Sequence, residues 1–537
     1  MNKVLGRIRN TLAATAAIAA LAASPAHAEW WKAETDHFII YSEDSKDDTE
    51  AFARELERFD NALRTIQALP VKPEEELSDA NKVTIFREGR VSGIAKLAGA
   101  PGSGVAGFYI PRAGAPVAFT PVQEDITDIR SIRQRARNTE AEIDPRSILQ
   151  HEYVHHFMLQ TFPATYPDWY IEAFAELYAT IELYDDGTFH LGNPPQYRSF
   201  QIYNLRSFPL KQMFDQNHER SGLDRFQFYG TGWMVAHYLS FNPERRPQLF
   251  QYLKAIGEGQ DGLTAAKEAF GDLDKLQDEV DAYKRQAKLG KLPGFDIKPA
   301  DYVAPAVEMR ELTPAEESVI KLYMRSRRGV DRKDAKEVAD SIEAKAAEYP
   351  SSLFVQIAAA EAFVDARRYD EADRAVARAL ALDPNSSQAW LYKAKSIMGR
   401  AEYEAKDMAM YADAREPLAM ANKLDPQNPE PLILYYETYR RAGEAPTENA
   451  IVALESVFED AAFDAAYRMI LARQLLIELK GPLAKTVLAP IAFSFHGDQE
   501  DNKLGQVIDL IDEQKTEEAR DKLIELMAEA ERKAKES

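Results

Sequence analysis

The sequence predicts an α+β unit followed by an all-α array of helical repeats, and three observations carry that reading. Up to about residue 125, short apolar runs of strand character alternate with an amphipathic helical stretch. From there to residue 288, apolar residues recur at helical spacing around several histidines and glutamates. Past a Pro/Gly-bearing stretch the chain turns Ala-, Leu- and Glu-rich, with prolines returning at a repeat-like interval. The expected boundaries are a leader over 1–28, the α+β unit over 29–289, a linker over 290–314 and repeats over 315–537.

The leader combines a basic start (Lys3, Arg7, Arg9), an Ala-rich apolar run from Leu12 to Ala23, and the small-x-small site Ala26-His27-Ala28. The run is too short to span a bilayer comfortably. It predicts a cleaved export signal and a mature chain starting near Glu29, either periplasmic or secreted. No cysteine occurs, so neither a lipobox, a disulfide framework nor a thiolate metal site is available. The formal charge is −21, and removing the three leader cations brings the remainder near −24. An acidic chain of this kind lacks the basic patches that nucleic acid requires. No membrane span is expected in the mature chain.

Within the first unit, His37 to Tyr41 and Val83 to Phe86 read as strands, and Asp47 to Ile66 as an amphipathic helix. Residues 104–110 and 115–119 flank Arg112-Ala113-Gly114, a hairpin pattern. The charged stretch 122–143 reads as a mobile loop or short helix.

The chemistry lies in His151-Glu152-Tyr153-Val154-His155. On a helix, positions i and i+4 stack on one face, so His151 and His155 can grip one ion. Glu152 sits one residue round, where a general base can reach an attacking water. Asp144-Pro145 starts such a helix and Pro163 stops it. Two histidines leave a catalytic zinc short of a third protein ligand. Glu172, on a second helix opened by Asp168, is the candidate. Glu176, one turn further, is placed to accept a hydrogen bond from a ligand histidine and fix its tautomer. The competing reading is two amphipathic helices whose histidines are satisfied by hydrogen bonds alone. It requires burying four polar residues at ligand spacing without a metal.

His151-Glu152-x-x-His155 followed by Trp169-x-x-Glu172 and Glu176 resembles the gluzincin metallopeptidases of the MA clan, which include thermolysin and the aminopeptidase N family. It is most similar to the peptidase MA-like branch, whose second helix reads W-x-x-E-G-x-A-E; here Ala173 replaces the glycine. The motif resemblance covers about residues 145–240, with a weaker echo back to residue 29. It implies a thermolysin-like fold, a Zn2+ cofactor and a peptide or protein substrate. It also implies a Tyr or His downstream that stabilises the oxyanion, for which Tyr229 and then His237 are the candidates. In that family an edge strand upstream of the metal helix pairs with substrate, which points to residues 104–110. No GAMEN-like exopeptidase motif occurs upstream.

In the last unit Pro350 and Pro384 lie 34 residues apart, the period of a tetratricopeptide repeat. Ala360, Ala372 and Ala379 match its small-residue positions. The next interval, to Pro426, is 42 residues, which places an extension around Met398 to Met410. Stacked repeats usually hold a peptide or protein partner on their concave face. Together these features predict an exported zinc endopeptidase, a hydrolase using Glu152 as base. The alternatives are a catalytically silent scaffold acting through its repeats, or a zinc amidase acting on cell wall. An intact Glu152 argues against the first, and no recognisable wall-binding module favours the second.

Overall fold

The computed structural model describes residues 29–73, 75–101, 105–123, 145–215, 218, 223–300, 302–492 and 502–536. The leader and most of the segment 122–143 lie outside the described residues, as does Asp144. The first elements are β1 (Trp31–Glu34), β2 (Phe38–Ser42), α1 (Lys46–Ile66), β3 (Val83–Arg87), α2 (Val91–Leu97), β4 (Phe108–Ile110), β5 (Val117–Thr120), α3 (Pro145–Thr161) and α4 (Asp168–Tyr178). Then come β6 (Glu182–Leu183), β7 (Phe189–Leu191), α5 (Ser199–Tyr203), α6 (Leu210–Met213), α7 (Leu223–Phe241), α8 (Arg246–Gly257), α9 (Gly262–Phe270), α10 (Leu273–Ala287), β8 (Phe295–Ile297) and β9 (Glu308–Glu311).

An all-helical region follows: α11 (Pro314–Glu317), α12 (Ile320–Arg328), α13 (Arg332–Glu348), α14 (Leu353–Asp365), α15 (Tyr369–Leu382), α16 (Ser387–Gly399) and α17 (Arg415–Leu424). It ends with α18 (Glu430–Ala442), α19 (Glu448–Ser456), α20 (Phe458–Ala461), α21 (Ala465–Ile477), α22 (Gly481–Ala492), α23 (Lys503–Asp512) and α24 (Thr516–Glu536). None of the described helices is long and apolar enough to cross a membrane.

Strand order in the six-stranded sheet is β4-β5-β3-β2-β1-β9. Its centre, β2, β3 and β5, is parallel, while β1 and β4 pair antiparallel with their neighbours. The expected hairpin is present, with Ile110 opposite Val117. The linker expectation for 290–314 is corrected. β8 pairs with β7 in a three-stranded sheet, and β9 pairs with β1, Glu308 lying opposite Glu34. Backbone pairing, not apolar patterning, holds these strands, because β9 keeps three of its four residues exposed.

Side chains alternate across the sheet, and both faces are buried. Phe38, Ile40, Val83, Ile85 and Ala118 join the core beneath α1, α3 and α4. Ile39, Tyr41, Phe86, Val117 and Phe119 join a second core with Tyr323, Val338, Val355 and Tyr392 of the helical region. The two regions therefore share a sheet. In the helical region, Ala360, Ala372 and Ala379 are fully buried between neighbouring helices. The longer interval is absorbed by a π turn over Arg400–Ala405, a left-handed Lys406 and a 3-10 segment over Met408–Ala414.

Helix α3 is held against α1 by a buried ionic network. His37 Nδ1 lies 2.7 Å from Glu57 Oε1 and 3.4 Å from Asp60 Oδ2. Asp60 also accepts from Arg64 Nε at 2.6 Å and from the Tyr153 hydroxyl at 2.6 Å. His37, Glu57 and Asp60 are grouped closely enough to suggest metal ligands. The bonds from Arg64 and Tyr153 instead make the group a charge network in which no cation is missing. Burial acts to lower the His37 pKa, yet the Asp60 charge and the Glu57 hydrogen bond outweigh it and raise the value. A raised folded pKa contributes stability that is complete below the ordinary histidine value of about 6.5 and is lost as pH rises through the folded value. The urea midpoint is expected to fall as pH is raised through this range, and His37→Gln should flatten that part of the profile. An unchanged slope in the variant would refute the assignment.

Candidate metal centre

Helix α3 starts at Pro145 and ends at Thr161, two residues before Pro163, as its breakers require. His151 and His155 are one turn apart on the face turned toward α4, and their Nε2 atoms lie 3.1 Å apart. Helix α4 is buried almost throughout. Trp169 is inaccessible and donates its indole N–H to Tyr252 at 3.2 Å. Asp168 belongs to the first turn, with Pro167 at the cap position. Ala173 faces Gly232 of α7, where an added Cβ would lie 3.7 Å from Ala173 Cβ. Alanine thus leaves the close approach of α4 and α7 intact.

Glu172 projects from α4 between the histidines. One carboxylate oxygen is 3.6 Å from His151 Nε2 and the other 3.6 Å from His155 Nε2. Zinc at about 2.0–2.1 Å from each donor in tetrahedral geometry needs donor separations of roughly 3.3–3.4 Å. The three distances bracket that value. The imidazole side chains are 12 % and 13 % exposed, so both are largely buried. Two imidazoles and a carboxylate are also the donor types zinc prefers. The residues present fit the ion. Glu152 follows His151 and is half-buried.

Glu176 does not orient a ligand histidine. Its oxygens accept from Tyr197 Oη at 2.5 Å and Arg198 Nε at 2.8 Å. His151 Nδ1 is buried without a hydrogen-bond partner among the described residues. The Arg198 guanidinium lies over the ring of Tyr229, 4.3 Å from its centroid. Tyr229 is therefore tied to the metal helices through Arg198 and Glu176, a chain the sequence did not reveal. Close packing sets this geometry: a Cβ on Gly230 would come within 2.7 Å of the Gln201 backbone.

His237 is a core residue, contrary to its expected role. It is inaccessible and stacks on Phe241 with ring centroids 4.0 Å apart. Nε2 donates to the Gly192 carbonyl at 3.0 Å, leaving Nδ1 to accept from Tyr283 Oη at 2.8 Å. Burial pushes its pKa down to about 4. Eight residues separate it from Tyr229, which turns it about 80° round the helix.

Compared with known proteins, the sequence matches no protein-family model and no curated protein.

Burial acts to lower the His151 pKa, but the Glu172 hydrogen bond and the charges of Glu176, Glu172 and Glu152 push it up to about 9. A zinc ligand must be neutral, so metal uptake near neutral pH has to displace that proton. Calorimetric zinc titrations in two buffers of different ionisation enthalpy are expected to show about one proton released at a pH of about 7.5. Zinc binding with no proton release would contradict the raised His151 value.

Proposed function

We propose that this chain is an exported zinc endopeptidase of the gluzincin type, with a thermolysin-like arrangement of its metal helices. The observation that carries the reading is the closeness of the two imidazoles, Nε2 to Nε2 3.1 Å, with a different Glu172 oxygen 3.6 Å from each of them. His151, His155 and Glu172 would hold the ion. Zinc supplies Lewis acidity, polarising a carbonyl and making water a stronger acid.

The remaining chemistry belongs to the chain. Glu152 takes the proton of the attacking water on its carboxylate and returns it to the leaving amine nitrogen. Arg198, bonded to Glu176 and lying over the Tyr229 ring, sets a cation beside α4, and Tyr229 remains the candidate donor where negative charge develops on the substrate oxygen. Strand β4 borders α3 and pairs on one side with β5. Its other edge suits an extended peptide, whose backbone would extend the sheet. An extended peptide is thus a better match than a compact small molecule.

Glu152→Gln should retain about one zinc per chain and lose at least about a hundredfold in turnover of an unfolded protein substrate. Glu172→Ala should lose the zinc itself. Elemental analysis and a peptidase assay on both variants test this directly. Wild-type turnover in Glu152→Gln would eliminate the assigned base. Soluble fragments released from purified cell wall, with no peptide cleaved, would replace the peptidase reading with an amidase.

A further inference from the structure

The turn between β4 and β5 is embedded in the helical region. Ala113 is 3 % exposed and donates its N–H to Asp464 Oδ2 at 2.9 Å. It shares a core with Ile433, Tyr436, Leu454 and Tyr467. Arg112 Nη1 donates to the Arg327 carbonyl at 3.3 Å. Gly114 has φ +75° and lies so near the next contact that a Cβ would sit 2.5 Å from Asn428 Oδ1. Positions 327, 428 and 464 fall at the end of α12, just before α18 and just before α21. One turn thus bridges three segments that lie far apart along the helical region.

The strand entering this turn is β4, the sheet edge that borders the metal helix. Its Tyr109 hydroxyl is 2.7 Å from His156 Nδ1, and His156 follows the candidate ligand His155. Phe463, adjacent to Asp464, packs edge-on against the His156 ring with centroids 4.6 Å apart. The corner Phe463-Asp464 therefore touches both the turn after β4 and the helix beside it. Among the described residues β4 pairs only with β5, so its outer backbone groups have no strand partner.

We infer that the helical region takes part in the reaction by clamping β4, through Asp464 and Phe463, in the position at which its free edge receives an extended peptide. The inference rests on the peptidase reading. Asp464 and Phe463 are positioning residues, acting through β4 and His156 without touching substrate. The repeats on this account grip the protein's own substrate strand.

Asp464→Asn isolates the contact. Asp464 Oδ1 also caps α21, accepting from Ala466 N at 2.7 Å and Tyr467 N at 3.1 Å. Asparagine is an equally good cap, so α21 is preserved. Its amide then turns a donor toward the Ala113 N–H in place of an acceptor. Hydrogen exchange of the 108–113 amides should accelerate in the full-length variant. KM for an unfolded protein or extended peptide should rise about three- to tenfold, the effect of one charge-assisted hydrogen bond, with kcat and zinc content held. Unchanged exchange would overturn the clamp. Faster exchange with unchanged KM would overturn the link to substrate. Should the wild type cleave no peptide, the peptidase reading fails on its own, and the exchange measurement still decides whether Asp464 holds the strand.

Discussion

The structure depends on a sheet that must be covered twice. In β2 every residue is buried, and alternate side chains enter different cores. Phe38 and Ile40 lie under the metal helices, while Ile39 and Tyr41 lie under the helical region. Stripping either layer would expose a contiguous apolar face, which soluble monomers rarely tolerate. The same geometry fixes α3. Its Tyr153 is packed on Phe38, with ring centroids 4.9 Å apart, and bonded to Asp60 of α1. The spacing of His151 and His155 from Glu172 then follows from how α3 and α4 lie on that sheet.

Charge is handled differently on the two sides of α3. Toward α1, His37, Glu57, Asp60 and Arg64 neutralise one another, with Tyr153 bonded to the same group. Toward α4, His151, His155 and Glu172 bring donors together with no guanidinium among them. Nearby Arg198 is engaged by Glu176, one turn beyond Glu172. Two clusters of similar composition thus differ in whether a side-chain cation already completes them.

The closeness of His151 and His155 was legible in the sequence because helical periodicity alone puts positions 151 and 155 on one face. The α+β-then-helical layout was legible for the same reason, from period-2 and period-3.6 patterns. His237 was misread because a histidine in a helical stretch carries no mark of which way it faces. Only the partners Tyr283 and Gly192 settle that, and they come from distant segments. Arg198 was invisible, since it reaches Glu176 from a short 3-10 turn, Gln196–Arg198, whose placement no spacing rule fixes. Strands β8 and β9 left no signal because they are short and mostly exposed, with no apolar alternation to mark them. Asp464 reads in the sequence as an ordinary helix cap. Its second oxygen, bonded to a backbone amide 351 residues earlier, has no signature in one dimension.

The pairing of β1 with β9 has a consequence for how the molecule is assembled. Trp31 lies opposite Glu311, so the edge of the sheet is closed by residues made long after its first strand. Contacts this distant in sequence must meet the entropy of closing a very large loop before they give anything back. Until then β1 presents an unpaired edge, and Ile39, Tyr41 and Phe86 face water. A nascent chain therefore cannot complete its sheet before β9 is made. The last strand of the sheet thus comes from a part of the chain next to the helical region, so support for α3 and α4 on that sheet is complete only once both are in place.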